Sequence, residues 1–405
     1  MVPLPIANVL HHKLRSALGA LGVAIGVCML VTLSGLARGS LNEVADRWEA
    51  VNADLIVYPA RWLDNITTID GGGLSQADAA EVGRITVGGN PSPAIERVVP
   101  VFLSRASIGG QEHNVVGVEP ADLPSLLGRG QILPGGRCFD ADGAFAKWLK
   151  AELEAPGDGV LDISPEELAR RGGLEMVIDT RLAAKAKLEV GSGVYAAGHD
   201  FTVVGIVPAG ALARAFIPRA TAWYLFDGRP ERYTMLFAKL REDVPPGAVL
   251  NRIRATKRLN AVTTGEYRSM LESRFGIMYV YVDAVNAVTL VVAFLFILVT
   301  LYTMVIQRTR EIAILRSMGA ARLYILREVL AESLILTFLG AAAGVGLSLA
   351  AAAIIQAALP LLTVTITWEW IATAAVVALV GGTAAAMYPG WCAIRVDVVE
   401  ALNFE

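Results

Sequence analysis

Apolar residues in this chain gather in four long runs without a single Asp, Glu, Lys or Arg: 16–37, 284–306, 333–359 and 371–392. A transmembrane α-helix needs roughly 20 mainly apolar residues. The pattern therefore predicts four membrane helices over those ranges. The polar stretches between them become a cytoplasmic N-terminal segment at 1–15, a large outer domain with stalk helices at 38–283 and a charged link at 307–332. A short outer loop at 360–370 and a cytoplasmic tail at 393–405 complete the order. Orientation follows from arginine and lysine. Lys13 and Arg15 precede the first run, Arg395 follows the last, and Arg308, Arg310, Arg316, Arg322 and Arg327 crowd the link between the second and third. Basic excess near membrane ends marks the cytoplasmic face. A cleaved signal peptide ending near Ala37 is the competing reading of the first run. Its length and its Gly22-xxx-Gly26 spacing favour a retained, packed helix.

Two further apolar periodicities flank the outer region. Leu41, Val44, Ala45, Trp48 and Val51 recur at three and four, as on an amphipathic helix that prolongs the first span. Leu271, Phe275, Met278, Val282 and Val285 form a heptad-like stripe leading into the second span. A helix over 264–306 would be about 64 Å long at about 1.5 Å per residue. That exceeds the roughly 30 Å hydrocarbon core, so the helix either projects outward or breaks near Gly276. Projection would let the two stripes pack as a stalk. Between them, short β-branched runs at 53–58, 97–103, 114–118 and 201–207 read as strands. Helices are expected at 75–84, 164–171 and 180–188, the first two opened by Ser75-xx-Asp78 and Ser164-xx-Glu167 capping patterns, with Pro165 at the first helical position of the second. The outer domain is thus α+β. Asp140, Asp142, Glu152 and Glu154 read as a solvated loop rather than as paired catalytic acids.

Composition narrows the function classes. Hydrophobic residues make up 54% of the 405, and the net charge of −3 hides charges segregated by region. There is no basic tract, so nucleic acid is not an expected partner. Of three cysteines, Cys28 and Cys392 lie in spans and only Cys138 in the outer region; no internal disulfide can form there, and no spacing suits zinc. His11-His12 reads as an interfacial pair rather than a metal site. The chain has no phosphate-binding Gly-x-x-x-x-Gly-Lys-Ser/Thr loop, no Gly-x-Ser-x-Gly elbow and no His-Glu-x-x-His. It is expected to be non-catalytic, with no cofactor or metal of its own. The uncharged spans argue against a polar pathway through the bilayer. Their Gly-xxx-Gly spacings suit packing within the chain or between two copies. The link at 307–332 is the candidate docking element. Ile312, Leu315, Gly319, Leu323 and Leu326 would form its apolar face at helical spacing, and Arg310, Glu311, Arg316, Met318 and Gly319 would lie at or beside a partner. Anchoring of the arginines to anionic lipid is the alternative.

Residues 307–320, QRTREIAILRSMGA, continuing through ILREVLAES at 325–333, resemble the signature of FtsX-like ABC-transporter permeases. The opening KLRSALGALGVAIGV at 13–27 is similar to the first span of that family, and PGWCAIRVDVVEAL at 389–402 resembles its tail, with Val398 where the family has Pro. The outer stretches 178–191 and 201–207 are similar to the MacB-type extracytoplasmic domain, while 139–173 matches nothing and reads as an insertion. The resemblance implies the permease subunit of an ABC transporter of the MacB or lipoprotein-releasing kind, in the bacterial cytoplasmic (inner) membrane. It implies a separate ATPase, in two copies, that binds ATP and Mg and docks on the link. It implies a second permease, identical or related, and a periplasmic adaptor, besides membrane lipids, as partners. ATP-driven motion would pass along the stalk (Leu41, Val44, Trp48, Val51 with Leu271, Phe275, Met278, Val282) to export or extract a substrate outside. The alternative within the family is an FtsX-like signalling subunit that activates a cell-wall hydrolase without transport.

Overall fold

The computed structural model describes residues 13–60, 73–87, 91–128, 130–141, 143–154, 163–227, 229–307, 309–359 and 362–395. His11, His12, Asp142, Arg308, Pro360 and Val398 lie outside them. The chain divides into a unit of Met1–Leu41 with Phe275–Glu405 and a unit of Asn42–Arg274.

The second unit is the α+β domain. Its strands are β1 (Leu55–Pro59), β2 (Leu74–Ser75), β3 (Ile95–Ile108), β4 (Gln111–Val118), β5 (Glu175–Asp179), β6 (Gly193–Ala196), β7 (His199–Val207), β8 (Ala215–Pro218), β9 (Arg232–Tyr233), β10 (Met235–Leu240) and β11 (Leu259–Thr263). Nine of them form one mixed sheet in the order β11-β1-β10-β3-β4-β8-β5-β7-β6. The long β3 joins its halves. Residues up to Val101 pair with β10, and Phe102 onward pairs with β4. At the changeover Thr234 Oγ1 accepts the Leu103 N–H at 2.8 Å, which satisfies a buried donor where one partner strand gives way to the other. The sheet buries both faces, around Phe102, Leu236 and Phe201 on one side and Phe216, Phe237 and Val101 on the other.

The four strands expected from sequence are present, within longer limits for three of them. Both Ser caps form: Ser75 and Asp78 make a reciprocal capping box, and Ser164 Oγ accepts the Glu167 N–H ahead of Pro165. The stretch 139–173 corrects one expectation. Glu152 and Glu154 sit on a helix, Gly143–Glu154, rather than in a loop. Phe145, Leu149 and Leu168 from this stretch enter the core, with Trp148 half-buried against it. The apolar spacing of three and four in Phe145, Trp148 and Leu149 drives this, and the Arg171 guanidinium lies 4.3 Å from the centroid of the Trp148 ring.

His113, on β4, is buried, and its Nε2 has no hydrogen-bond partner among the described residues. Burial, then the cations Arg214 and Lys185, hold its pKa below the ordinary histidine value, against a smaller opposing pull from Asp179. The folded state thus prefers neutral imidazole, and the unfolded chain binds the proton more readily. Stability present above pH about 6.5 is lost as pH falls through the folded value. The purified chain should therefore melt at lower temperature at pH 5 than at pH 7. In His113→Gln that gap should shrink; an unchanged gap would assign the acid sensitivity to other groups.

The residues of the two stalk stripes fall in different environments. The helix expected over 264–306 breaks at Phe275, into Thr264–Arg274 and Gly276–Gln307. Trp48 and Val51 are core residues of the α+β domain. Trp48 meets Tyr267 at 4.5 Å between ring centroids and Phe237 at 5.9 Å. Arg268 binds Glu49 at 2.7 Å and also Asp46. The helix Thr264–Arg274 thus presents Tyr267 and Arg268 to this end of the first helix, and Met270 packs against the core cluster that holds Trp48. The side chain of Leu271 lies outside the described set. Val44 and Met278 are exposed, and Leu41, Phe275 and Val282 are half-buried.

The first unit holds helices Lys13–Glu49 (its residues up to Leu41), Gly276–Gln307, Thr309–Ser317, Arg322–Ala358 and Trp368–Ile394. All but the short one are long and apolar enough to cross a membrane. Glycines set their spacing. A Cβ on Gly22 would lie 2.8 Å from Phe296 Cβ, and one on Gly26 2.8 Å from Ala293 Cβ. Gly340 and Gly344 likewise lie against the first helix at Val23 and Val27. The Gly-xxx-Gly spacings therefore serve packing within the chain. Ser333 Oγ donates to the Gly382 carbonyl at 2.9 Å, and Asn286 Nδ2 donates to Ser34 Oγ at 3.0 Å; hydrogen bonds of this kind join helices where water is scarce. The third membrane helix starts at Arg322, eleven residues before the uncharged run, and carries Glu332 into a site only 4% exposed.

Candidate docking site

The link between the second and third membrane helices folds into the short helix Thr309–Ser317. Thr309 Oγ1 donates to the Ile306 carbonyl at 2.6 Å, which ties down the end of the preceding helix. Glu311 in the first turn and Arg316 in the last match the helix dipole. Gly319, at φ +94°, ends the element. Its N–H bonds the Arg316 carbonyl at 3.0 Å and the Ala320 N–H bonds Leu315 at 3.0 Å. That pair of bonds is a Schellman stop, in which a left-handed glycine satisfies the last carbonyls.

This stop corrects the expected apolar face. Ile312, Leu315, Gly319, Leu323 and Leu326 do not lie on one helix, because the chain turns at Gly319 and restarts at Arg322. The buried set is Ile312, Ala313, Ile325 and Val329, of which Ile312, Ile325 and Val329 cluster with Val305 and Ala393. Leu323 is 66% exposed instead. Arg316 is half-buried. Its Nη1 donates to the Ile394 carbonyl at 3.1 Å, at the C-terminal end of the fourth membrane helix. It anchors two helix ends to each other. The other singled-out residues, Arg310, Glu311, Met318 and Gly319, are exposed together, with Met318 at 71%. Ile314 joins them, and its exposure was hidden from the sequence because its neighbours Ile312 and Ala313 are buried. The resulting surface is apolar at Ile314, Met318 and Leu323 and bordered by Arg310 and Glu311. Exposed apolar patches rimmed by polar groups mark binding surfaces. Behind it lies a small cavity walled by Leu301, Met304, Ile312, Tyr324, Glu328 and Glu332. Among the described residues no three His, Cys, Asp or Glu side chains converge as metal ligands would.

Four membrane-capable helices and an α+β domain between the first and second define a multi-pass membrane protein with one large domain outside the bilayer. The model of the MacB-like periplasmic core domain matches residues 16–256, and that of the FtsX-like permease C-terminal region matches 284–398. The chain belongs to the family of FtsX-like ABC-transporter permeases with a MacB-like periplasmic core domain, which makes the α+β domain extracytoplasmic. The macrolide export ATP-binding/permease protein MacB of Bdellovibrio bacteriovorus is 25% identical over 429 residues, covering 97% of this chain and 60% of that protein. The uncharacterized ABC transporter permease YknZ of Bacillus subtilis is 30% identical over 129 residues, 32% of each chain. The solved periplasmic region of MacB from Actinobacillus actinomycetemcomitans aligns with 55% of this chain and 95% of its own, with a TM-score of 0.35 at 14% identity. The chain spans 51 to 60% of the length of the MacB proteins it matches.

Proposed function

We propose that this chain is the permease part of an ABC transporter of the MacB and lipoprotein-releasing kind, seated in the bacterial cytoplasmic membrane. It couples ATP hydrolysis by a partner ATPase to movement of a substrate on the outer side. The carrying observation is the surface of Arg310, Glu311, Ile314 and Met318 on the helix Thr309–Ser317 and its Gly319 stop. With the α+β domain outside, a link one span further along the chain faces the cytoplasm, where ATP is available. The helix is short, capped at its end by a rigid turn and braced by Arg316 against Ile394. A push on it reaches the helices on either side of it instead of being absorbed by a loop.

The test separates docking from folding by leaving Arg316 intact. Met318→Asp with Glu311→Lys changes two exposed side chains and no buried one. The double variant should insert and melt like the parent, yet retain about one tenth or less of the copurifying ATPase, equivalent to about 1.4 kcal/mol of lost binding. Normal copurification would reject the docking role. The signalling alternative needs the same contact, so the result bears on both readings.

A further inference from the structure

From Asn42 to Glu49 the first helix carries charge on two faces. One face offers Asp46 and Glu49 to Arg268. The other offers Glu43 and Arg47 to a buried network. Arg47 Nη2 donates to Glu43 Oε1 at 2.6 Å. Arg181 Nη1 donates to Glu43 Oε2 at 2.6 Å, and Arg214 Nη2 lies 3.6 Å from Oε1. Arg47 and Arg214 also reach Asp179 Oδ2, at 3.4 and 3.6 Å. Asp179 is fully buried at the end of β5, and its Oδ1 caps the helix Thr180–Ala186 by accepting the Leu182 N–H at 2.7 Å. Three guanidinium groups and two carboxylates therefore meet, drawn from the first helix, from β5 and the helix after it, and from the residue before β8.

Such a network is a poor source of stability, because desolvation offsets most of the attraction. What it fixes is register. Sliding a helix by one residue moves its side chains about 1.5 Å and turns them about 100°, enough to break contacts of this length. Apolar packing tolerates small slips better than directional guanidinium–carboxylate pairs do.

We infer that Glu43 is the hub of a charge clasp that locks the outer end of the first helix in one register against β5, β8 and the helix Thr180–Ala186, so that displacement of the helix is delivered to that half of the sheet. The clasp rests on the ATP-coupled reading above. Glu43, Arg47, Arg181 and Arg214 are positioning residues in it; none need touch the substrate.

Hydrogen exchange on the full complex, with and without a non-hydrolysable ATP analogue, tests it. In the parent complex the nucleotide should change exchange both at 42–49 and at 180–186. In Arg181→Gln the response at 180–186 should fall by about threefold or more while that at 42–49 persists, and Arg181→Lys, which keeps the cation, should retain both. Arg181 is the most exposed of the three arginines, so its loss is the mildest way to open the network. Glu43→Gln leaves three guanidinium groups around one carboxylate and adds weight if it melts with the parent. An undiminished response at 180–186 in Arg181→Gln overturns the clasp. So does a parent complex that carries its ATPase but shows no response at 180–186. If no ATPase accompanies the parent chain, the docking reading has failed and the clasp falls with it.

Discussion

Gly344→Leu should leave the chain in the membrane but unable to hold its helices together. A Cβ at Gly344 would stand 2.7 Å from the Ala24 carbonyl oxygen and 2.8 Å from Val27 Cβ. At Gly340 the corresponding approaches are 2.7 Å to the Ala20 carbonyl and 2.6 Å to Val23 Cβ. In both cases the obstacle includes backbone, which cannot rotate away as a flexible side chain can. The first and third membrane helices would have to separate along their whole contact. Inside a bilayer that contact is held mainly by close packing, with little hydrophobic drive to replace it. Overpacking ordinarily costs about 1–3 kcal/mol, and a leucine here belongs at or above the top of that range. Gly346→Leu is the matched control, since a Cβ there meets nothing within 4 Å. The readout is the rate at which Cys28, half-buried on the first helix, reacts with a thiol reagent in mild detergent. Fast labelling in Gly344→Leu with parental labelling in Gly346→Leu is expected. Equal, slow labelling in both would show that these helices do not depend on the glycine contact.

The membrane helices were legible because hydrocarbon imposes a blunt rule: about twenty residues without charge. The rule reports where charge is missing, not where a helix begins. Residues 322–332 carry Arg322, Arg327, Glu328 and Glu332 and so read as link, yet they form the first three turns of the third membrane helix. Burial of Glu332 had no sequence signal at all, since depth depends on which face meets its neighbours. The strands tell a related story. Those at 97–103 and 201–207 were found by their β-branched runs. The strand Glu175–Asp179, although buried over four of its five residues, was passed over. Met235–Leu240 and Leu259–Thr263 were also missed; short apolar runs lack the alternation that separates strand from buried helix. At the docking site, residue types were informative and their faces were not. One glycine at φ +94° resets the helical phase between Leu315 and Leu323, so a periodicity carried across it fails. Arg316 reads from sequence only as one basic residue among several in the link. Its Nη1 donates to a backbone carbonyl 78 residues away, which no local pattern reveals. The charge clasp leaves no sequence signal for the same reason: Glu43, Asp179, Arg181 and Arg214 are ordinary charged residues one at a time, and only the fold brings them together.

Inserting Gly-Gly after Met270 should separate ATP hydrolysis from its outer effect. The insertion point follows Tyr267 and Arg268, the residues through which the helix Thr264–Arg274 meets Trp48, Asp46 and Glu49. Those contacts sit upstream and can persist. What changes is the stretch from Leu271 to the second membrane helix, which begins at Gly276. Two added residues turn a continuing helix by about 200° and lengthen it by about 3 Å, and two glycines in a helix interior cost roughly 2 kcal/mol relative to alanine. The docking helix, more than thirty residues further along, keeps its own surface and caps. ATPase copurification and hydrolysis should therefore stay near the parental level. The nucleotide-dependent exchange response in Thr264–Arg274 should be lost, and transport or activation with it. The natural break at Phe275 makes this a demanding test. If the connection there is already a free hinge, a more flexible one changes nothing, and an insertion mutant with parental outer response would show that the second helix carries no load to the outer domain. Ala-Ala at the same point separates the two effects, since it adds the same rotation without the flexibility. Loss in both variants points to register as the requirement, and loss in Gly-Gly alone points to stiffness.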